Sequence, residues 1–313
     1  MDEGMITLKT DEQSKKKRYD LHKEENRAGY AFAAPAILGL LIFTIIPMIV
    51  SLILSFTDYN VIGAFKFTGI DNYRTIFMDD LFFKKSVVVT FTFAFGSTLS
   101  SLIAALVIAL LMNVKVKGQA FFRTLFYLPV VVPAVASNIL WMWLFNPDFG
   151  LLNSVLQFFH LPPSNWIFDE QTAIPSLILM AVWGCGGTAL VFLAGLQDVP
   201  QDLMEAVEVD GGNWRHKFLY VTLPAISPII FFNLVMGLIG SFQTFSQAYI
   251  MTGGGPNNAT LFYALLIYRK AFQENQFGYA SALAWILFVI IGLFTMLVFG
   301  TAKNWVYYGG QEK

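Results

Sequence analysis

The sequence is poor in cysteine, histidine and charge: only 13% of its 313 residues are Asp, Glu, Lys or Arg, against about 25% in ordinary soluble domains. Its single cysteine, Cys185, cannot form an intrachain bridge, which excludes a disulfide scaffold. His22, His160 and His216 lie in three separate segments and cannot jointly hold a metal. The formal net charge is −1, so no basic field recruits nucleic acid. What is present is apolar: 56% of the residues are hydrophobic, far too many for a disordered chain, and the implied solvent is a bilayer.

A hydrocarbon core of about 30 Å needs roughly 20 apolar residues in a helix. Six segments run that far without Asp, Glu, Lys, Arg or His: Ala31–Phe56, Val87–Met112, Thr124–Phe145, Ile174–Gln197, Ala225–Gln247 and Ala282–Ala302. The third contains Pro129 and Pro133, which membrane helices tolerate. An even number of spans puts both termini on one side. Lys9, the Lys15–Arg18 run, Lys23, Arg27, Lys115, Lys117, Arg123, Arg215, Lys217, Lys303 and Lys313 fall on that side, whereas the other holds Lys66, Arg74, Lys84, Lys85, Arg269 and Lys270. The positive-inside rule therefore predicts cytosolic termini. The first apolar run is much longer than the core of a cleaved signal peptide, so a membrane span is expected there.

The expected division is a cytosolic tail over residues 1–30, one membrane domain over 31–303 and a cytosolic tail over 304–313. The outer loops are short. Phe67–Tyr73 predicts a turn into an interfacial helix, Pro147–Gly150 a turn before an amphipathic stretch, and Gly253–Asn258 a break before helical periodicity around Leu261–Phe272. Gly253–Gly255 lacks the following Lys-Ser/Thr of a phosphate-cradling loop, so no nucleotide site is visible. Spans free of ionisable groups disfavour an autonomous ion-coupled carrier, which places such groups in the membrane as relays. An integral-membrane transferase would need acids or bases converging at one interface. Asp79 and Asp80 are adjacent, and adjacent helix positions do not share a face.

The inner connection between the fourth and fifth spans is polar yet patterned. Pro200 supplies a rigid helix start, Asp202 a favourable first-turn charge, and Gly211-Gly212 a left-handed stop. Leu203, Ala206, Val207 and Asp210 fall on one side of that helix, with Glu205 and Glu208 on another. Taken alone, this pattern is also that of an amphipathic helix on a bilayer surface.

Glu205-Ala206-Val207-Glu208-Val209-Asp210-Gly211, followed by Tyr220-Val221-Thr222-Leu223-Pro224, resembles the coupling-loop signature of ABC-importer permeases. Phe121–Pro129, Leu144–Gly150, Phe192–Gln197 and Met251–Pro256 resemble the carbohydrate branch, similar to maltose and glycerol-phosphate permeases of the first-subunit type. Coverage runs from about Pro35 to Ala302. Departures are Val207, where the family usually has alanine, and Gly212, where alanine often follows the glycine. The resemblance implies an all-α integral membrane protein, with the six transmembrane helices of the type I importer permease fold, in a bacterial or archaeal cell membrane. It implies a chain with no ATPase site or cofactor of its own. ATP and magnesium are then bound by two cytosolic ATPase subunits, a second homologous permease completes the pathway, and an extracytoplasmic binding protein delivers the solute. Within the cytosolic loop 202–224, Glu205, Ala206, Val207, Asp210 and Gly211 are the implied ATPase-coupling residues.

The resemblance also implies a substrate pathway at Val130, Ala134, Met180, Trp183, Gly184, Gly187, Gly237, Gly240 and Ser241, and Gln243 adds an amide beside them. Trp183 offers a stacking face, Ser241 and Gln243 hydrogen bonds, and the glycines clearance for a sugar ring. Small residues also serve helix packing in membranes. Six spans without charge offer no counter-ion to a strongly ionic solute, so a neutral saccharide is the expected cargo. Several of these positions carry smaller side chains than in the maltose branch, which suggests an oligosaccharide. Glycerol-phosphate-like cargo stays open through residues of the second subunit.

Overall fold

The computed structural model describes residues 29–60, 66–114 and 117–307. The expected tails over 1–30 and 304–313 therefore lie largely outside the described residues. Among the described residues the fold is helical throughout, with two isolated β-bridges, Thr57 to Phe67 and Asn60 to Gln276, and no strand.

Three helices are individually long and apolar enough to cross a membrane: α1 (Gly29–Leu54), α3 (Leu81–Asn113) and a C-terminal helix (Phe277–Trp305). Between α1 and α3 lies the short helix α2 (Asp71–Met78), on the segment where a turn and interfacial helix were expected. Asn72 fixes it to the end of α1 by donating from Nδ2 to the carbonyls of Ser55 and Thr57, both at 2.9 Å. These are carbonyls that a helix end leaves without an internal partner.

α3 is the organising element. It begins six residues earlier than its apolar run because Asp80 caps it: Oδ1 accepts from the amides of Phe82 (2.8 Å) and Phe83 (3.1 Å). Tyr279 of the C-terminal helix donates to the other carboxylate oxygen at 2.6 Å. Phe93, Ala94, Ala105, Ala109 and Met112 bury the inner faces of α3.

The remaining spans are bent. The expected third span, Thr124–Phe145, is two helices, α4 (Gln119–Val131) and α5 (Ala134–Leu144), set at 100° to each other. Pro133 removes an amide and pushes Val132 into an extended conformation (φ −72°, ψ 126°), so the helix cannot continue through it. A straight span there is thus replaced by a corner. A short helix, α6 (Leu151–Phe158), follows. α7 (Ala173–Trp183) and α8 (Gly186–Gln197) bend by 47° at Gly184-Cys185. After α9 (Gln201–Val209), α10 (Trp214–Ala225) and α11 (Ser227–Phe242) bend by 60° about Ile226, between Pro224 and Pro228. α12 (Tyr263–Tyr268) precedes α13, the C-terminal helix.

α3 packs against α7, α8, α11 and α12, while α1 packs against α13. Close approach depends on glycine at two crossings. A Cβ at Gly186 would run into the Phe126 carbonyl, and one at Gly195 into Ile229. Much of the apolar surface stays uncovered, α1 above all. A chain whose solvent is lipid tolerates this.

Candidate functional site

Among the described residues, two places hold residues singled out from sequence. The first is a cavity of about 300 Å³ in the middle of the helix bundle. α3 contributes Ser97, Thr98 and Ser101, the α7–α8 bend Gly184, Cys185 and Thr188, and α11 Asn233, Gly237, Gly240 and Ser241, with Thr244 and Gln247 beyond its end. No Asp, Glu, Lys, Arg or His lines it.

Ser241 is the hub of the lining. Its Oγ accepts from Ser97 Oγ at 3.2 Å and lies 3.1 Å from Thr98 Oγ1. Gly237 lets the two helices meet there, since a Cβ would come within 2.9 Å of Thr98 Cγ2. At Gly240, one turn on, nothing lies within 4 Å of where a Cβ would stand. The Oε1 atom of Gln247 is buried and accepts no hydrogen bond. A buried acceptor without a partner costs free energy that a ligand hydroxyl would recover.

Of the pathway residues expected from sequence, the structure brings Gly184, Gly237, Gly240 and Ser241 together here. The others lie elsewhere. Met180 is 6% exposed within the main hydrophobic core. Trp183 packs edge-on against Trp141, ring centroids 5.6 Å apart. A Cβ at Gly187 would stand 3.7 Å from Val130 Cγ2, and Val130 and Ala134 are exposed on either side of the α4–α5 corner. Gln243 lines a different, apolar pocket with Leu287 and Ile291 of α13. It follows Ser241 by two positions, and at 3.6 residues per turn such a pair projects to nearly opposite sides.

Sequence reasoning missed the α3 contribution, although Ser97 and Ser101 stand one turn apart within an otherwise apolar run. Thr188, Asn233, Thr244 and Gln247 were missed as well. Among the described residues no group of His, Cys, Asp or Glu is placed to hold a metal.

The second place is the polar connection carrying α9. Its stop is a full Schellman motif: Gly212 N–H donates to the Val207 carbonyl at 2.8 Å and Gly211 N–H to that of Glu208 at 2.9 Å. Gly211 sits at φ +76°, the left-handed region that side chains disfavour. Asn213 then opens α10 with a capping box: its Oδ1 accepts from the amides of Arg215 and His216, while His216 Nδ1 accepts from the backbone amide of Asn213. Glu208 is ion-paired to Lys217.

Two caps placed back to back make α9 and the start of α10 a stiff hairpin. Glu205, Ala206, Asp210 and Gly211 are exposed on it, and Val207 is half-buried. Around them Leu203, Val209, Trp214 and Tyr220 are also exposed, Val209 at 87% and Trp214 at 70%. Exposed apolar side chains beside a rigid polar turn form a surface suited to a protein partner.

Bent apolar helices around an uncharged cavity, with a capped, exposed hairpin at one end, are the architecture of a helical membrane permease. Residues 96–307 match the family described as "Binding-protein-dependent transport system inner membrane component", and the chain belongs to it. It is 44% identical over 295 residues to the probable ABC transporter permease protein YesP of Bacillus subtilis, covering 93% of this chain and 95% of that one. It is 32% identical to the multiple sugar-binding transport system permease protein MsmF of Streptococcus mutans, covering 88% and 95% respectively. Its fold is similar to that of a chain in a bacterial alginate ABC transporter, solved in complex with an alginate pentasaccharide-bound periplasmic protein. There the TM-score is 0.79 at 24% identity, covering 90% of this chain and 96% of that one.

Proposed function

We propose that the chain forms half of the translocation pathway of an ATP-driven importer for neutral saccharides, oligosaccharides among them. The observation that carries this reading is the cavity beside Ser241, where hydroxyl, amide and glycine groups stand among the apolar Phe93, Leu102, Ala181 and Met236, with no charged residue among the described residues that line it. Such a lining suits a polyhydroxylated solute, because hydroxyls and amides both donate and accept. A phosphorylated or otherwise strongly ionic cargo would find no counter-charge there. The sugar-binding system named for MsmF supports the same cargo class.

In this reading α1, α3 and α13 and the bent pairs α4–α5, α7–α8 and α10–α11 are six spans, with both termini cytosolic. A second homologous permease supplies the other half of the pathway. Two cytosolic ATPases bind ATP and magnesium, and an extracytoplasmic binding protein hands over the solute. The α9–α10 hairpin docks on one ATPase through Glu205, Ala206, Val207, Asp210 and Gly211. Its stiffness converts ATPase closure into displacement of α10 and α11, whose Gly237, Gly240 and Ser241 line the cavity. Alternating access then needs no bond-making chemistry in this chain.

The test is reconstitution of the whole importer in liposomes, with uptake of labelled neutral oligosaccharides compared with glycerol phosphate and peptides. Saccharide uptake dependent on ATP and the binding protein is expected, with no ATP hydrolysis by this chain purified alone. Uptake of only the phosphorylated or peptide substrates would overturn the carbohydrate assignment, and mutation-sensitive ATPase activity in the isolated chain would overturn the permease role.

A further inference from the structure

Beneath the α9–α10 hairpin is a second polar cavity, of about 620 Å³, where the end of α3, the start of α4, the end of α8, α9 and α10 converge. Gln119, Arg123, Gln197, Glu205, Glu208 and Lys217 are among its lining groups. Arg123 belongs to the Phe121–Pro129 motif, to which the reading above gives no task. Its Nε–H is buried and donates to nothing, and among the described residues it forms no ion pair. Glu208, across the same space, gives Lys217 only its Oε1 atom.

A guanidinium with an unused buried donor therefore lines the same cavity as a carboxylate whose side chain is 62% exposed and whose second oxygen makes no bond to Lys217. Left apart, the donor bears a desolvation cost; brought together, the two would form a charge-assisted pair. The positions of the three side chains give this pairing a mechanical meaning. Lys217 is on α10, Glu208 on α9 and Arg123 near the start of α4, which packs on α8 where Gly186 meets the Phe126 carbonyl and ends at the 100° corner.

We propose that Arg123 is a positioning residue for transport: Glu208 exchanges Lys217 for Arg123 in the opposite-facing state, tying the stiff α9–α10 hairpin to α4 there. This rests on the coupling role given to α9 above. Arg123 touches neither the solute nor ATP, so its loss should change the yield of transport per ATP and leave hydrolysis running.

The test uses the complete importer in liposomes and measures saccharide uptake and ATP hydrolysis side by side. R123Q is expected to lower uptake per ATP about tenfold, E208Q to do the same, and the double variant to be no worse than either alone, as for two residues acting through one contact. R123K, which keeps the cation, should restore most of the coupling. Wild-type uptake per ATP in R123Q, or losses that multiply in the double variant, would overturn the exchange. Should R123Q fail to assemble, the cycle is repeated with R123M and E208Q, and multiplying losses there overturn it equally. A wild-type importer that hydrolyses ATP but imports no saccharide would instead refute the function on which the exchange rests.

Discussion

The hydroxyl of Ser97 donates to that of Ser241 at 3.2 Å across 144 residues of chain. This contact, with Thr98 beside it, joins α3 to α11 at the wall of the central cavity. Ser241→Ala removes the hydroxyl and adds no atom to the contact. Its expected effect is a rise of about tenfold in the apparent KM for saccharide uptake, the scale of one lost hydrogen bond in a desolvated site. Initial uptake rates against saccharide concentration would show it, and an unchanged KM would remove Ser241 from the pathway.

Gln247 tests whether the cavity trades stability for binding. Its buried Oε1 has no partner, so Gln247→Leu removes an unsatisfied acceptor. The variant should unfold at the same temperature as the wild type or higher, while its uptake falls. A lower Tm in detergent, with uptake intact, would show Gln247 to be structural.

The glycines divide by what surrounds them. Gly186→Val drives a side chain into the Phe126 carbonyl, where backbone cannot yield cheaply, and should cost about 1–3 kcal/mol with a reduced Tm. Gly240→Ala meets nothing within 4 Å and should leave Tm unchanged. Thermal unfolding of the two variants in the same detergent checks the contrast.

Gly211→Pro tests the hairpin. Proline holds φ near −65°, whereas Gly211 sits at +76°, and it removes the amide that donates to the Glu208 carbonyl at 2.9 Å. Uptake should fall to background in complexes that still assemble, as judged by co-purification of the ATPase. Normal uptake by an assembled Gly211→Pro importer would mean that the stiff turn is not the coupling element.

The sequence alone was enough to establish residence in the membrane, because transfer of charge into lipid is so costly that long charge-free runs have few other uses. It also located α9 and its stop: Pro200, Asp202 and Gly211 act through local backbone geometry, which depends on neighbours in the chain and on little else. Four expected pathway residues, Gly184, Gly237, Gly240 and Ser241, do share one cavity. Only the tertiary structure decided which way the remaining side chains face. Trp183 meets Trp141, Met180 enters the core and Gln243 turns to α13, whereas Ser97, Thr98 and Ser101 reach the cavity. The reason is that residue type in a bilayer marks depth along a helix, whereas the direction around it is set by neighbouring helices, and small residues serve close packing and ligand clearance alike. The degree of the bend at Pro133 and the presence of Arg123 and Glu208 in the lining of one cavity were likewise decided by packing. The proline and both charges are legible in the chain, but the angle and the juxtaposition arise only when five helix ends pack together.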